Sequence, residues 1–289
     1  MGVWDDCLTK FQKDKNQLIL ETANSILEST IQFFKNNPKC EPAPLGCGLL
    51  LSLEDKFFMV TVAHVIAEDY NNIFVILPDK ELKLGASPKY PEILKFTSLP
   101  ASGNRKDDKI DIAVMELKDK VITDILVTHK FIPLDNIEIG HNPVENPYYL
   151  SVGYPATKTK KVWNEEKILA KPYVYRTEFD PNFDLEKFGF ASNSHIAIKF
   201  DGKVKSYKNN TVHNAPKLGG ISGSGLWYLK DFAKPDMVKN KQLVGLIIER
   251  VSNVLVATRI DLVTEYIRQH FNLSIPKSKS KIQIIVNFK

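Results

Sequence analysis

The chain has 289 residues, 43% apolar and 25% charged, with a formal net charge of +5, a globular composition that excludes global disorder. That length holds one large domain or two ordinary ones with a real core, and sixteen prolines and fourteen glycines spread along it predict many turns rather than a few long helices. The mild basicity could meet an acidic partner or nucleic acid, but a solvated surface is the stronger explanation of it.

The N-terminal stretch, residues 1–17, is polar and carries Asp5 and Asp6, so no signal peptide is expected. Asp6 also stands where a myristoylation signal has a hydroxyl residue. Residues 14–36 place Ile19, Leu20, Ala23, Ile26, Leu27, Ile31 and Phe34 at helical spacing, and Asn36-Asn37-Pro38 predicts the end of that helix. After Pro44 the pattern turns to short apolar strands. Residues 49–53 and 57–61 flank Glu54-Asp55-Lys56 as a hairpin, and 73–77, 82–84, 93–96 and 110–117 come next. That makes about six strands by residue 117, the complement of one small closed barrel.

Residues 118–146, rich in Lys and Asp, read as a connection. A second strand set is predicted at 148–153, 168–175, 195–200, 223–229, 243–249 and 254–259. Asp261 is the expected cap of a terminal helix over 262–271, which Pro276 and the basic run 277–281 break before a last strand at 282–288. No apolar run reaches the roughly 18 residues of a membrane span. The three cysteines, Cys7, Cys40 and Cys47, all lie in the first fifth of the sequence, so a reducing, cytoplasmic compartment is expected.

Three segments carry chemistry. His64 ends the strand Phe57–Val62 and comes after the small Ala63. Asp111 interrupts the apolar run 110–114, where an ionised carboxylate is costly unless partnered. Ser222 sits in Gly220-Ile221-Ser222-Gly223-Ser224-Gly225, whose glycines permit unusual dihedrals and can turn two amides toward one point. A serine hydroxyl is a poor nucleophile at neutral pH; it needs a base within hydrogen-bond reach, and the base needs a third group to fix its tautomer. Each residue alone has an ordinary structural explanation: a packed histidine, a turn-bonded aspartate, a Gly/Ser turn. Their joint occurrence in this order is what points to acyl transfer.

With those residues in hand, the chain resembles the trypsin/chymotrypsin-like serine proteases, and in particular their intracellular bacterial-type members. Thr61-Val62-Ala63-His64 is similar to the family's T-A-A-H, Asp111-Ile112-Ala113-Val114 to D-I-A-L, and Gly220–Gly225 to G-D-S-G-G-P. Gln242–Ile247 resembles the strand after the nucleophile, and 254–271 the closing strand and helix. The likeness covers roughly residues 44–272 and is weak between 155 and 215. It implies an all-β fold of two six-stranded Greek-key barrels (chymotrypsin-like), flanked by an N-terminal and a C-terminal helix. The expected division is 1–43 as a helical extension, 44–140 and 141–273 as the barrels, and 274–289 as a basic tail with a terminal strand.

By the same resemblance Ser222 attacks the scissile carbonyl, His64 is the base, and Asp111 orients it. The N–H groups of Gly220 and Ser222 form the oxyanion hole; Pro216 lies near the base of a substrate pocket walled by Ile248, Glu249 and Arg250. The implied activity is an endopeptidase cutting a protein or peptide substrate. Its narrower form is a signalled cut of one partner protein, with that partner as regulator, since similar domains occur in bacterial stress and defence systems. No cofactor or metal is implied. The sequence departs from the family at Ile221, where many members have an aspartate that pairs with a newly released amino terminus, so no activation by N-terminal cleavage is expected. Ser224 replaces a glycine and competes for the nucleophile's role, but only Ser222 has Gly220 two residues upstream. The long segment 155–216 is expected to add loops around the cleft. The alternative is a degenerate or latent protease fold used as a binding module; Lys and Ser in the tail, with few aromatics, match nucleic-acid binding poorly.

Overall fold

The structure, a computed structural model, describes residues 3–67, 70–78, 80–84, 94–97, 102–143, 148–162, 167–206, 211–230, 232, 234 and 236–278. The expected strand at 282–288 and most of the basic tail lie outside these residues. The chain is mostly β with few helices, and its sheets are antiparallel apart from one short parallel pairing.

Helix α1, Val3–Leu27, comes first. Ile19, Ala23 and Ile26 recur along one face and are buried. The expected helix over 14–36 stops short: Ser29 Oγ and Thr30 Oγ1 donate to the carbonyl of Ile26 at 3.1 and 2.9 Å, closing the last turn. The chain then enters strand β1, Thr30–Asn36. Ile31, Phe33 and Phe34 are all buried there, and a strand covered on both faces loses the alternation that would distinguish it from a helix in the sequence. The expected helical extension therefore contributes a strand to the first sheet.

Strands β2 (Pro42–Leu53), β3 (Lys56–Thr61), β4 (Ile73–Leu77), β5 (Lys80–Lys83), β6 (Leu94–Phe96), β7 (Ala113–Glu116) and β8 (Ile132–Pro133) complete that sheet, in the order β5-β4-β1-β2-β3-β7-β6 with β8 beside β2. The β2–β3 hairpin turns at Glu54, whose φ is 55°. A short helix α2, Ala63–Ile66, comes after β3, and α3, Asp119–Leu126, occupies part of the expected connection. Its Val121 and Ile125, one turn apart, are buried.

The second sheet is six-stranded, in the order β12-β9-β16-β17-β18-β13. Its strands are β9 (Tyr148–Gly153), β12 (Tyr173–Glu178), β13 (His195–Lys199), β16 (Gly225–Leu229), β17 (Lys241–Val251) and β18 (Val254–Arg259). A bridge between Phe179 and Ile198 joins its two edges. The segment 155–216 adds two small hairpins, β10 (Thr159–Val162) with β11 (Lys167–Ala170), and β14 (Lys203–Lys205) with β15 (Val212–Asn214). Helix α4, Met237–Asn240, packs on α1. Helix α5, Ile260–Phe271, ends the described fold, and its N-cap is Arg259 rather than Asp261. Asp261 instead lies buried in the first turn, accepting a hydrogen bond from Ser278 Oγ at 2.9 Å. One continuous apolar core takes Ile19 and Ile26 from α1, Leu49 and Phe58 from the first sheet, Trp227 from the second and Tyr266 from α5, so both helices seal the junction of the two sheets.

Candidate active site

Strands β3 and β7 pair antiparallel, with Thr61 opposite Ala113. His64 lies three residues beyond the end of one and Asp111 two residues before the start of the other, so the ladder itself delivers both to the same end of the sheet. The carboxylate of Asp111 accepts the His64 backbone N–H at 2.9 Å and faces its ring Nδ1 at 2.5 Å. An ionised carboxylate only accepts, so Nδ1 carries the proton and Nε2 is left as the basic nitrogen. Asp111 is buried, with 6% of its side chain exposed, against 37% for His64.

Asp111 has a φ of 53°, a left-handed conformation that costs on the order of 1–2 kcal/mol in a residue with a Cβ. A second carboxylate holds it there. Asp108 Oδ1 accepts the backbone N–H groups of Ile110 and Asp111 at 3.2 and 3.0 Å, and Oδ2 takes Arg105 at 2.8 Å and the hydroxyl of Thr97. The second sheet grips the same loop: Thr258 Oγ1 donates to the carbonyl of Ile110 at 2.8 Å, and His195 Nε2 to that of Lys109 at 2.7 Å. Burial depresses the pKa of His195, which keeps the ring neutral, with one N–H to donate.

The Ser222 loop is fixed by its carbonyls. Ala156 N–H donates to the oxygen of Gly219 at 2.7 Å, and Ser224 N–H to that of Ile221 at 2.9 Å. Peptide units are planar and trans, so the N–H groups of Gly220 and Ser222 point away from those anchored oxygens. Gly220 has φ 94°, and a Cβ there would sit 2.8 Å from Ala156 N; only glycine fits. Cys47, flanked by Gly46 and Gly48, ties the loop to the first sheet. Its N–H donates to the Ser222 carbonyl at 2.8 Å, its Sγ to that of Gly220 at 3.1 Å, and Tyr154 N–H reaches Sγ at 3.2 Å. Burial pushes the thiol up to about 12, so the sulfur keeps its proton and remains a donor.

Ser222 is half-buried, whereas Ser224 is fully buried, which leaves Ser222 as the serine that an external molecule can reach. Ile221 packs in an apolar cluster with Leu226 and Leu255. His64, Asp111 and Ser222 line one cavity of about 620 Å³, together with Ile248, Glu249 and Arg250. Pro216 does not: it lies on a different cavity of about 740 Å³ between α1 and β12, because the chain between Pro216 and Leu218 turns from one to the other. No protein-family model matches the chain. No curated protein sequence matches it.

Asp108, Cys47 and His195 also belong to the site, though none of them breaks the pattern of its own segment as His64, Asp111 and Ser222 do. The flanking glycines are the available signal for Cys47; Asp108 bonds amides only two and three residues ahead, a local turn pattern open to any aspartate, and His195 reaches Lys109, 86 residues away. Among the described residues no helix is long and apolar enough to cross a membrane.

Proposed function

We propose that this protein is a serine endopeptidase whose two sheets are the packed barrels of a chymotrypsin-like fold, acting in a reducing, cytoplasmic compartment on a protein or peptide substrate. The observation that carries the reading is the Asp111–His64 pair facing the same cavity as Ser222. Ser222 attacks the carbonyl carbon of the bound peptide as His64 Nε2 takes its proton. Asp111 balances the imidazolium, and the N–H groups of Gly220 and Ser222 receive the oxyanion. The imidazolium then protonates the leaving amine, and water repeats the sequence to release the acyl group. The packing of Ile221 among apolar side chains supports activity without a newly cut amino terminus, and the free thiols Cys40 and Cys47 fit the compartment.

A second reading is a latent module that a regulatory protein partner switches on. It is favoured by one contact: Ser222 Oγ donates to the carbonyl of Ile248 at 3.2 Å, so its single proton is not directed at His64. Digestion of a proteome-derived peptide library, read by mass spectrometry, tests both. The endopeptidase reading expects cleavage that falls by about 10⁴–10⁶ in Ser222→Ala or His64→Ala; cleavage undiminished in Ser222→Ala contradicts it. Cleavage that occurs only with a host protein present favours the latent module.

A further inference from the structure

We infer that the site selects substrates with an acidic side chain, aspartate or glutamate, on the amino side of the cleaved bond, and that Arg250 is the residue that reads it. The inference rests on Ser222 being the nucleophile. A peptide whose carbonyl carbon lies against Ser222 has that residue's side chain in the adjoining cavity, whose charged groups therefore set the preference.

Strand register separates two neighbours of opposite charge. Arg250 pairs with Leu255, and Leu255 with Ile198, across β17, β18 and β13; Glu249 pairs with Val256, and Val256 with Ala197. Directly paired residues share a face and adjacent positions alternate. Arg250 therefore belongs to the face of Leu255 and Ile198, which are both in the apolar cluster around Ile221, and Glu249 to the other face, where it meets Lys109 at 3.3 Å.

The remaining charges of the cavity are matched. Asp108 is paired with Arg105 and Asp111 with His64. Arg250 is held differently: its Nε donates to the carbonyl of Ser252 at 3.1 Å, and its guanidinium lies 4.9 Å from the ring centroid of Phe200. Among the described residues it has no carboxylate partner. The backbone bond and the ring fix the plane of the guanidinium while leaving its two terminal nitrogens as donors, the fork that a carboxylate fits.

The other walls beside it are Leu218, Ile221, Ile247 and Leu255. A lysine or arginine side chain entering here meets a cation and four apolar groups, with no unpaired carboxylate to receive it. An aliphatic side chain strips water from Arg250 without replacing it. An aspartate or glutamate replaces that water with a charge-assisted pair, so the three substrate classes are ranked.

The test uses the full chain with a set of fluorogenic peptides that differ only in that one residue: Asp, Glu, Ala, Leu or Lys. The expected result is a kcat/KM for Asp or Glu at least about tenfold above the others, the size of one charge-assisted hydrogen bond. Arg250→Ala should bring the Asp/Ala ratio toward one, and Arg250→Glu should invert the Asp/Lys ratio, with circular dichroism checking that both variants fold. A best substrate with Leu or Lys, or an acidic preference that survives both variants, overturns the inference. If Ser222 reacts with a fluorophosphonate but no acidic preference exists, only this inference fails; if there is neither labelling nor cleavage, the reading of the nucleophile fails with it.

Discussion

Asp108 holds Asp111 in place: its Oδ1 accepts the backbone N–H of Asp111 at 3.0 Å, so one carboxylate sets the backbone from which the other reaches His64. The arrangement offsets the left-handed φ at Asp111 and neutralises Arg105 in the same stroke. Its removal leaves two amides without that acceptor and takes the carboxylate from a mostly buried guanidinium, which also donates to the carbonyl of Thr97 at 2.6 Å.

Asp108→Ala should therefore destabilise the chain by about 3–5 kcal/mol, the cost of breaking a buried pair from one side. It should also lower kcat more than it raises KM, because the orientation of His64 is lost while the substrate cavity remains. Urea unfolding and steady-state kinetics check both. Asp108→Asn, which keeps an oxygen acceptor, should fall between; a change in stability within about 0.5 kcal/mol, that of an ordinary surface substitution, would contradict the role.

Gly220→Ala tests the anchored loop. The added Cβ meets Ala156 N at 2.8 Å on a backbone whose φ is 94°, so the peptide must rotate and take the Gly220 N–H with it. The expected loss in kcat is about 10²–10³, the effect of one oxyanion donor, while Ser222 itself stays in the chain and remains open to mass-spectrometric labelling. Unchanged kcat would mean that this N–H takes no part.

Stability should fall on mild acidification. Burial lowers the pKa of both His195 and His141, so the native state keeps them neutral while the unfolded chain takes up protons once the pH drops below about 6.5. The unfolded state then binds more protons, and the contribution, complete above that pH, is lost as the pH falls toward the depressed native values. Glu265 does not interfere in this window. Its carboxyl is held down to about 2, first by the Arg268 side chain, so its own contribution is lost as the pH falls from the ordinary carboxylate value toward 2, below the histidine window. Urea midpoints between pH 8 and pH 5 should decline, and His195→Gln, which retains a side-chain N–H, should flatten part of the decline. A midpoint constant across that range would contradict the neutral buried histidines.

The strands most legible in the sequence are those with clear flanks: β3, β9, β13 and β18, each within a residue of expectation, and the turn of the β2–β3 hairpin at Glu54, although β2 itself starts seven residues before the expected 49. Strand β1 reads as helix because Thr30–Phe34 is buried on both sides and so carries no alternation. Asp261 has the residue type of a cap, but the helix begins at Ile260, two residues earlier than expected, and the Asp261 carboxylate is used by Ser278. At the site, His64, Asp111 and Ser222 stand out because each breaks its local pattern: a ring after a small residue, a charge in an apolar run, a hydroxyl among glycines. Asp108, His195 and the thiol of Cys47 break none. Asp108 bonds the amides of Ile110 and Asp111 within its own loop, a turn that takes on its role only because Asp111 reaches His64. The roles of His195 and Cys47 depend on the carbonyls and amides that face them, at Lys109 and at Gly220 and Tyr154, and those partners arrive only once the sheets have packed. The same holds for Arg250 and Glu249, whose faces are fixed by cross-strand register.

The most direct test of the central claim is the reaction of the folded chain with a fluorophosphonate, with the modified residue located by mass spectrometry. An alkoxide prepared by His64 should yield a single adduct on Ser222, absent in Ser222→Ala and slowed by orders of magnitude in His64→Ala. No adduct on a chain that circular dichroism finds folded, or an adduct on Ser224 that persists in Ser222→Ala, would contradict it.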